Sequence, residues 1–192
     1  MTDGFNAPAA PDGMACFSGT DGSWVVMRNH EIHEGSPVDA ALGFADDRGG
    51  GVTRLVVDRA SGTLRSSNFV LTGTSRNCAG GPSPYGWLSC EEVDESGHGF
   101  VFLCDVSASE LQAPHRLPAL GRFSHEAAAF DTKTGITYLT EDTSDSAIYR
   151  HVPNHTTRPF VGGELQALKV SGKDRFMLSE GRKVDEAFNV EW

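Results

Sequence analysis

The sequence predicts an all-β fold built from the small antiparallel sheets of a β-propeller. Glycine is frequent, with 22 Gly in 192 residues, and it separates short apolar runs rather than helix-length ones. Three of these runs end in an acidic tip, at Glu31, Glu91 and Glu141. The tips are 60 (91 − 31) and 50 (141 − 91) residues apart, the length of a unit with several strands. Because equivalent strand ends of successive blades converge on one channel, we expect these carboxylates to meet in space.

Turn signals divide the chain into consecutive units. In the first unit, Asp21-Gly22 lies between two apolar runs, which is a strong hairpin signal. The predicted blades span residues 12–65, 66–112 and 113–170, and residues 171–192 begin a further blade of the same domain, residues 1–192. A stable propeller closes a ring of four to eight blades. We therefore expect about three to four blades of an incomplete ring, and so part of a longer protein.

Composition restricts the partners. Acidic residues outnumber basic ones by 26 to 16, a formal net charge of −10. Nucleic-acid binding needs a basic stripe, which is missing, whereas divalent cations suit this charge. An acidic surface kept for solubility fits the composition as well. With no bilayer-length apolar run and no export signal, we expect no membrane partner and a cytoplasmic protein as written. A signal at the natural N-terminus would make it periplasmic or secreted.

The second and third units combine strand-end acids with a second type of ligand. The candidate metal ligands are Cys78, Glu91, Glu92, Glu126, Glu141 and Asp142. Crowded carboxylates repel one another unless cations bind or pKa values rise. Carboxylate oxygens suit calcium, and a thiolate beside them suits a softer ion such as iron. The alternatives are solvated turn residues for single acids and a buried structural thiol for Cys78.

Four residues that flank these segments are candidates for substrate binding: Arg76, Asn77, Arg122 and His125. The two arginines could bind a phosphate bidentately, although an ordinary surface position is the simpler interpretation of each. The histidine could donate to an oxyanion or orient a ligand, or it is a core histidine. The remaining cysteines lie in apolar runs and are expected in the core: Cys16, Cys90 and Cys104.

One long segment resembles a known family. Residues 77–92, which read Asn-Cys-Ala-Gly-Gly-Pro-Ser-Pro-Tyr-Gly-Trp-Leu-Ser-Cys-Glu-Glu, resemble the central motif of the PhoX-type alkaline phosphatases. Further similar strings lie at residues 12–14, 29–31, 122–127, 138–142 and 165–170, so that the resemblance extends from about Pro11 to Val170. It implies a six-bladed propeller that hydrolyses phosphomonoesters at an iron–calcium cluster in its channel. Members are usually exported.

By motif position, the resemblance implies roles for the candidate ligands. Cys78 would be an iron ligand, with Glu91 and Glu126 as its carboxylate partners, and these three would carry catalysis. The residues implied to bind calcium or to bridge metals are Glu92, Glu141 and Asp142. The reaction implied is metal-assisted hydrolysis of a small-molecule phosphate ester.

The sequence also departs from the family pattern. The family's later Ala-Arg-x-Glu-Gly segment has its nearest counterpart at Ser179-Glu180-Gly181, which comes early and lacks the arginine. We therefore expect little phosphatase activity from this chain alone, and a monomer when the protein is full length. Two alternatives remain open. One is a non-catalytic metal-binding or interaction propeller, and the other is a calcium-dependent lactonase-like hydrolase that would not need the thiolate.

Overall fold

The computed structural model describes residues 1–173, 175–177 and 183–192. Within these residues the chain forms antiparallel β-sheets and one 3-10 turn, Pro118–Leu120. The all-β prediction is confirmed. Among the described residues, no helix has the length and apolarity needed to cross a membrane.

The first sheet is a four-stranded antiparallel meander in chain order. Its strands are β1 (Pro11–Ser18), β2 (Ser23–His30), β3 (Gly50–Asp58) and β4 (Leu64–Thr74). Gly22 adopts a φ of 76° in the turn between β1 and β2, a conformation that favours glycine. Because β4 pairs with β3, the first sheet extends to Thr74. The predicted boundary between the first two blades, at residues 65 and 66, falls within β4.

Two further sheets repeat the antiparallel plan. The second contains β5 (Gly81–Ser83), β6 (Gly86–Cys90) and β7 (Val101–Cys104). The third contains β8 (His125–Phe130), β9 (Thr137–Glu141), β10 (Ile148–Pro153) and β11 (Gly163–Ala167). A short pair follows, β12 (Lys169–Val170) and β13 (Val190–Glu191). Of the two, β13 lies within the predicted further blade, residues 171–192, and β12 lies at the end of the predicted third blade. Ser179-Glu180-Gly181 lies outside the described residues.

The three larger sheets pack against one another, with the second in the middle. Trp87 packs with Met27 in the core between the first and second sheets. The next residue on β6, Leu88, packs with Leu139 in the core between the second and third sheets. All five residues of β6 are buried, because side chains alternate along a strand and both faces are covered. This stack is compatible with consecutive blades of a partial propeller.

The cysteines outside the candidate site differ in burial. Cys90 and Cys104 lie in the two cores, as predicted. Cys16 is exposed, so its predicted core position is wrong. The residues that flank it, Ala15 and Phe17, pack toward the second sheet, and alternation along β1 turns Cys16 away from it.

Asn29 connects the first two sheets through its side chain. It is fully buried, and its amide nitrogen donates to the backbone carbonyl of Cys78. Its Oδ1 accepts hydrogen bonds from Trp87 Nε1 and Ser89 Oγ, both at 2.8 Å. Since one amide satisfies three polar groups in the interior, Asn29 fixes the second inner hairpin against the first.

The second and third sheets are connected through the backbone. The N–H of Gly80 donates to the Glu126 carbonyl at 3.0 Å, and the N–H of Ala128 donates to the Gly80 carbonyl at 3.1 Å. A Cβ on the neighbouring Gly81 would collide with the Ala128 carbonyl oxygen, so this approach requires glycine. The inner strands of these two sheets are therefore held close together next to Glu126.

Replacing Asn29 should destabilise the protein. Asn29→Ala leaves the buried Trp87 indole N–H and Ser89 O–H without their acceptor, so we expect the free energy of unfolding to fall by about 2–4 kcal/mol. Denaturant unfolding measures this loss. Asn154→Ala, on an exposed residue, is the matched control and should change stability by less than about 0.5 kcal/mol. Equal effects of the two substitutions would contradict the connecting role of Asn29.

Candidate metal centre

The three inner hairpins end in one repeated arrangement. The last backbone pairs of the hairpins are Pro11–His30, Asn77–Glu91 and His125–Glu141. Just beyond them, backbone N–H groups donate across the hairpin, from Glu31 to Ala10, from Glu92 to Arg76 and from Asp142 to Ser124, at 2.9, 3.0 and 3.1 Å. The repeat therefore aligns Glu31, Glu92 and Asp142 on the returning side.

Each outgoing strand also carries one extra residue next to its last pair. From Pro11 to Met14 the outgoing strand advances three residues, while its partner moves only two, from His30 to Arg28. The same excess of one residue occurs in the other two hairpins. Such a bulge re-aims a side chain. The aligned outgoing residues are Asp12, Cys78 and Glu126.

Cys78 lies at the centre of the aligned residues. It is 8% exposed, and its Sγ lies 3.7 Å from Asp12 Oδ1 and 3.5 and 3.4 Å from the two carboxylate oxygens of Glu126. Two groups of potential ligands share it: Asp12, Glu31 and Cys78 form one, and Cys78, Glu92 and Glu126 the other. Within each group the ligand atoms lie within 4.8 Å of one another. We name these five residues the Cys78 cluster.

Burial and like charge disfavour the ionised forms in this cluster. Burial and the neighbouring Glu126 carboxylate raise the pKa of the Cys78 thiol far above its usual value. Burial also raises the pKa of Glu92, and the charges of Glu126, Glu31 and Asp142 act in the same direction, against a hydrogen bond with Cys78. A bound cation would favour the ionised forms of all these groups. The electrostatics of the cluster therefore suit a cation.

Glu91 lies outside the cluster, on the other face of its strand. Its fully buried carboxylate accepts two hydrogen bonds at each oxygen. Oε1 accepts from Ser75 N and His98 Nδ1 at 2.9 and 2.8 Å, and Oε2 accepts from Gly99 N and Phe100 N at 2.9 and 3.1 Å. These contacts connect the end of β6 to the segment that leads into β7.

Glu141 is placed in the same way in the third sheet. Its Oε2 accepts a hydrogen bond from the Tyr149 hydroxyl at 3.0 Å and from Ala147 N at 3.2 Å. In the first sheet the aligned residue is His30, whose Nε2 lies 2.8 Å from Thr53 Oγ1 on β3. In all three sheets, then, the residue before Glu31, Glu92 or Asp142 contacts its own sheet or the loop that leads to the next strand.

The structure brings Asp12 and Glu31 into the cluster, although they were not among the predicted ligands. The signal that could have found them is the spacing of the repeat. Asp12 precedes Cys78 by 66 residues (78 − 12) and Cys78 precedes Glu126 by 48 (126 − 78), similar to the 60 and 50 residues that separate the acidic tips. Both acids also lie within strings that resemble family motifs. In the backbone pairing, Glu31 aligns with Glu92 and Asp142, whereas Glu91 and Glu141 align with His30.

Arg76 is exposed two residues before Cys78. Its φ of 46° is unusual for a residue with a side chain, and Ala10, two residues before Asp12, has the same φ. Each such conformation costs about 1–3 kcal/mol and persists only where the surrounding structure imposes it. The backbone thus turns in the same strained way as it enters two of the three bulges.

The other substrate-binding candidates contact protein groups. Asn77 is buried, accepts from the Thr74 hydroxyl at 2.6 Å and donates to Ser89 Oγ at 2.8 Å. Arg122 Nη1 donates to backbone carbonyls of the loop after β6. His125 is fully buried beside the Phe123 ring, and burial lowers its pKa to about 4, so that it is neutral at physiological pH.

The structure is an all-β protein of stacked antiparallel sheets whose strand ends bring a thiol and several carboxylates together in a candidate metal site. Residues 60–192 match the family model described as Alkaline phosphatase PhoX, and the chain belongs to this family. The match begins later than the resemblance seen from about Pro11. It includes Cys78, Glu92 and Glu126, whereas Asp12 and Glu31 precede it. No curated protein and no solved structure matches the chain.

The neighbouring carboxylates Glu91 and Glu92 should respond oppositely to the same substitution. The pKa of Glu92 is raised in the folded protein, so the folded state binds its proton more tightly than the unfolded state. Its contribution to stability is therefore favourable at low pH and is lost as pH rises through the raised pKa. Glu92→Gln should stabilise the metal-free protein at neutral pH, and Glu91→Gln should destabilise it by about 2–4 kcal/mol.

Denaturant unfolding of both variants from pH 4 to pH 8, in the presence of a chelator, measures this difference. In calcium titrations, Glu92→Gln should weaken binding more than Glu91→Gln does. A greater loss of calcium affinity in Glu91→Gln would reverse the assignment of the two carboxylates.

Proposed function

We propose that this chain contributes the metal centre of a phosphatase that hydrolyses phosphomonoesters, with the Cys78 cluster as that centre. The observation that carries the proposal is the position of the Cys78 thiol between two groups of carboxylates in a chain of the PhoX family. A phosphate ester of a small molecule is the substrate class that fits this family.

The donor set supports the choice of metals. A thiolate favours a softer ion, so we propose iron at Cys78, with Glu126, whose carboxylate oxygens lie 3.5 and 3.4 Å from the thiol, as a carboxylate partner. Carboxylate oxygens favour calcium, for which Asp12, Glu31 and Glu92 are suitable donors. Asp142, exposed at the aligned position of the third hairpin, is a further donor in this proposal. Glu91 and Glu141 would support the strand ends instead of binding metal.

Each of these residues has a role in the proposed reaction. The bound cations would supply Lewis-acid polarisation of the phosphoryl oxygens. Cys78 and Glu92, whose pKa values are raised, would release their protons when cations bind. The exposed guanidinium of Arg76 would bind phosphate oxygens bidentately at the edge of the cluster. His125 is neutral and buried in the core, which favours a packing role over proton transfer at the substrate.

Removing the thiol distinguishes this function from its alternatives. In the longest form of the protein that can be produced, Cys78→Ala should lower kcat/KM for p-nitrophenyl phosphate by more than about 100-fold. Loss of a ligand should exceed the roughly 10–100-fold effect of removing a residue that only orients one. Cys16→Ala is the matched control, because this exposed cysteine lies on β1 away from the cluster.

The outcomes separate the candidate functions. Unchanged turnover after Cys78→Ala would contradict the phosphatase proposal and favour the calcium-dependent lactonase-like alternative, which lactone hydrolysis would then test. Metal binding without any phosphomonoester hydrolysis in that form of the protein would favour a non-catalytic metal-binding propeller.

Calcium should stabilise the 192-residue chain. A cation that binds only the folded state adds about 2.7 kcal/mol at a concentration 100 times its Kd. For a chain of this length, that corresponds to a rise in the unfolding midpoint of roughly 5–10 °C. Thermal unfolding with calcium and then with excess chelator measures the shift. A midpoint that calcium leaves unchanged would argue against a calcium site in this chain.

A further inference from the structure

Three segments that carry cluster acids meet at the edge of the Cys78 cluster. One follows β2 and carries Glu31, one follows β6 and carries Glu92, and one leads into β8 and carries Glu126. A small set of polar side chains joins these segments. We name it the rim network: His33, Arg48, Glu95 and Arg122.

Glu95 connects the segment after β6 to the first sheet. Its Oε1 lies 2.8 Å from His33 Nε2, two residues after Glu31. Its Oε2 accepts from Arg48 Nη2 at 2.9 Å, and Arg48 lies just before β3. The Arg48 side chain is only 18% exposed, so this end of the ion pair is sheltered from solvent. A single carboxylate therefore joins the loops on which Glu31 and Glu92 lie.

Arg122 connects the same segment to the third sheet. It lies four residues before Glu126, and its Nη1 donates to the carbonyls of Asp94 and Glu95 at 2.9 and 3.1 Å. The same Nη1 also donates to the His98 carbonyl, at 3.4 Å. The backbone adds one bond, from Phe123 N to the Gly99 carbonyl at 3.0 Å. The loop after β6 is thus held from both sides.

We propose that Glu95 and Arg122 are positioning residues that hold Glu31, Glu92 and Glu126 at metal-binding distances before any cation is bound. This inference rests on the proposed function. It assigns Arg122 to the support of the metal centre instead of to the phosphate. Like charges in the metal-free cluster push these acids apart, since the ligand atoms of each group lie within 4.8 Å of one another. Ties between the three segments oppose that separation, and groups that orient ligands set metal affinity.

Titration of the full chain with calcium, with the binding heat measured by calorimetry, tests the proposal. Glu95→Gln and Arg122→Ala should each weaken calcium binding by about 10–100-fold. The unfolding midpoint of the metal-free protein should change little, because Glu95 is half-exposed and Arg122 is exposed, and contacts of such groups contribute little to stability. Arg122→Lys, which keeps a donor and the charge, should recover part of the affinity. The matched controls Glu110→Gln and Arg158→Ala lie on exposed loops and should bind calcium as the unchanged chain does.

The outcomes distinguish failure of this inference from failure of the proposed function. If the unchanged chain binds no calcium, the calcium site itself fails, and the positioning role fails with it. If the unchanged chain binds calcium and both variants bind it equally well, only the positioning role is overturned. A loss of affinity for inorganic phosphate in Arg122→Ala, with calcium affinity intact, would return Arg122 to substrate binding. If Arg122→Ala does not fold, Glu95→Gln, which changes a half-exposed side chain, decides the question.

Discussion

The bulge at the end of each inner hairpin is the constraint on which the candidate site depends. One extra residue on the outgoing strand turns Asp12, Cys78 and Glu126 toward a common centre. The returning strand then supplies an acid directly after the last backbone pair. Without the bulge, strand alternation would direct the outgoing residue elsewhere, and the thiol would lose its carboxylate neighbours. The local backbone therefore determines the chemistry of the centre.

The packing of the sheets converts this local feature into a site. Asn29 satisfies interior groups of the second sheet from the first, and the backbone of Gly80 bonds to the third. Both contacts lie beside ligand-bearing residues, so sheet packing and ligand placement are coupled. Cores on both sides of β6 supply the hydrophobic stabilisation, with each buried large side chain worth about 1.5–3 kcal/mol. This interior offsets the repulsion among the clustered acids.

Much of the fold and part of the site could be predicted from the sequence. Apolar runs and turn residues identified the strands, and the segment around Cys78 identified the family. Sequence could not tell Glu91 from Glu92, because the choice depends on pairing register and strand alternation. It could not assign Arg122 either, because the carbonyls that Arg122 contacts approach it only after the second and third sheets pack. The exposure of Cys16 likewise depends on which side of β1 another sheet covers.

The alternation of Glu91 and Glu92 also limits how relatives can vary in length. An insertion of one residue within β6 (Gly86–Cys90) would exchange the two side chains, sending the Glu92 carboxylate into the interior and its buried neighbour outward. Insertions in the hairpin turns farthest from the centre, such as residues 131–135, would leave the order of the two faces unchanged. Changes in chain length should therefore accumulate in those distal turns and spare the few residues around the Cys78 cluster.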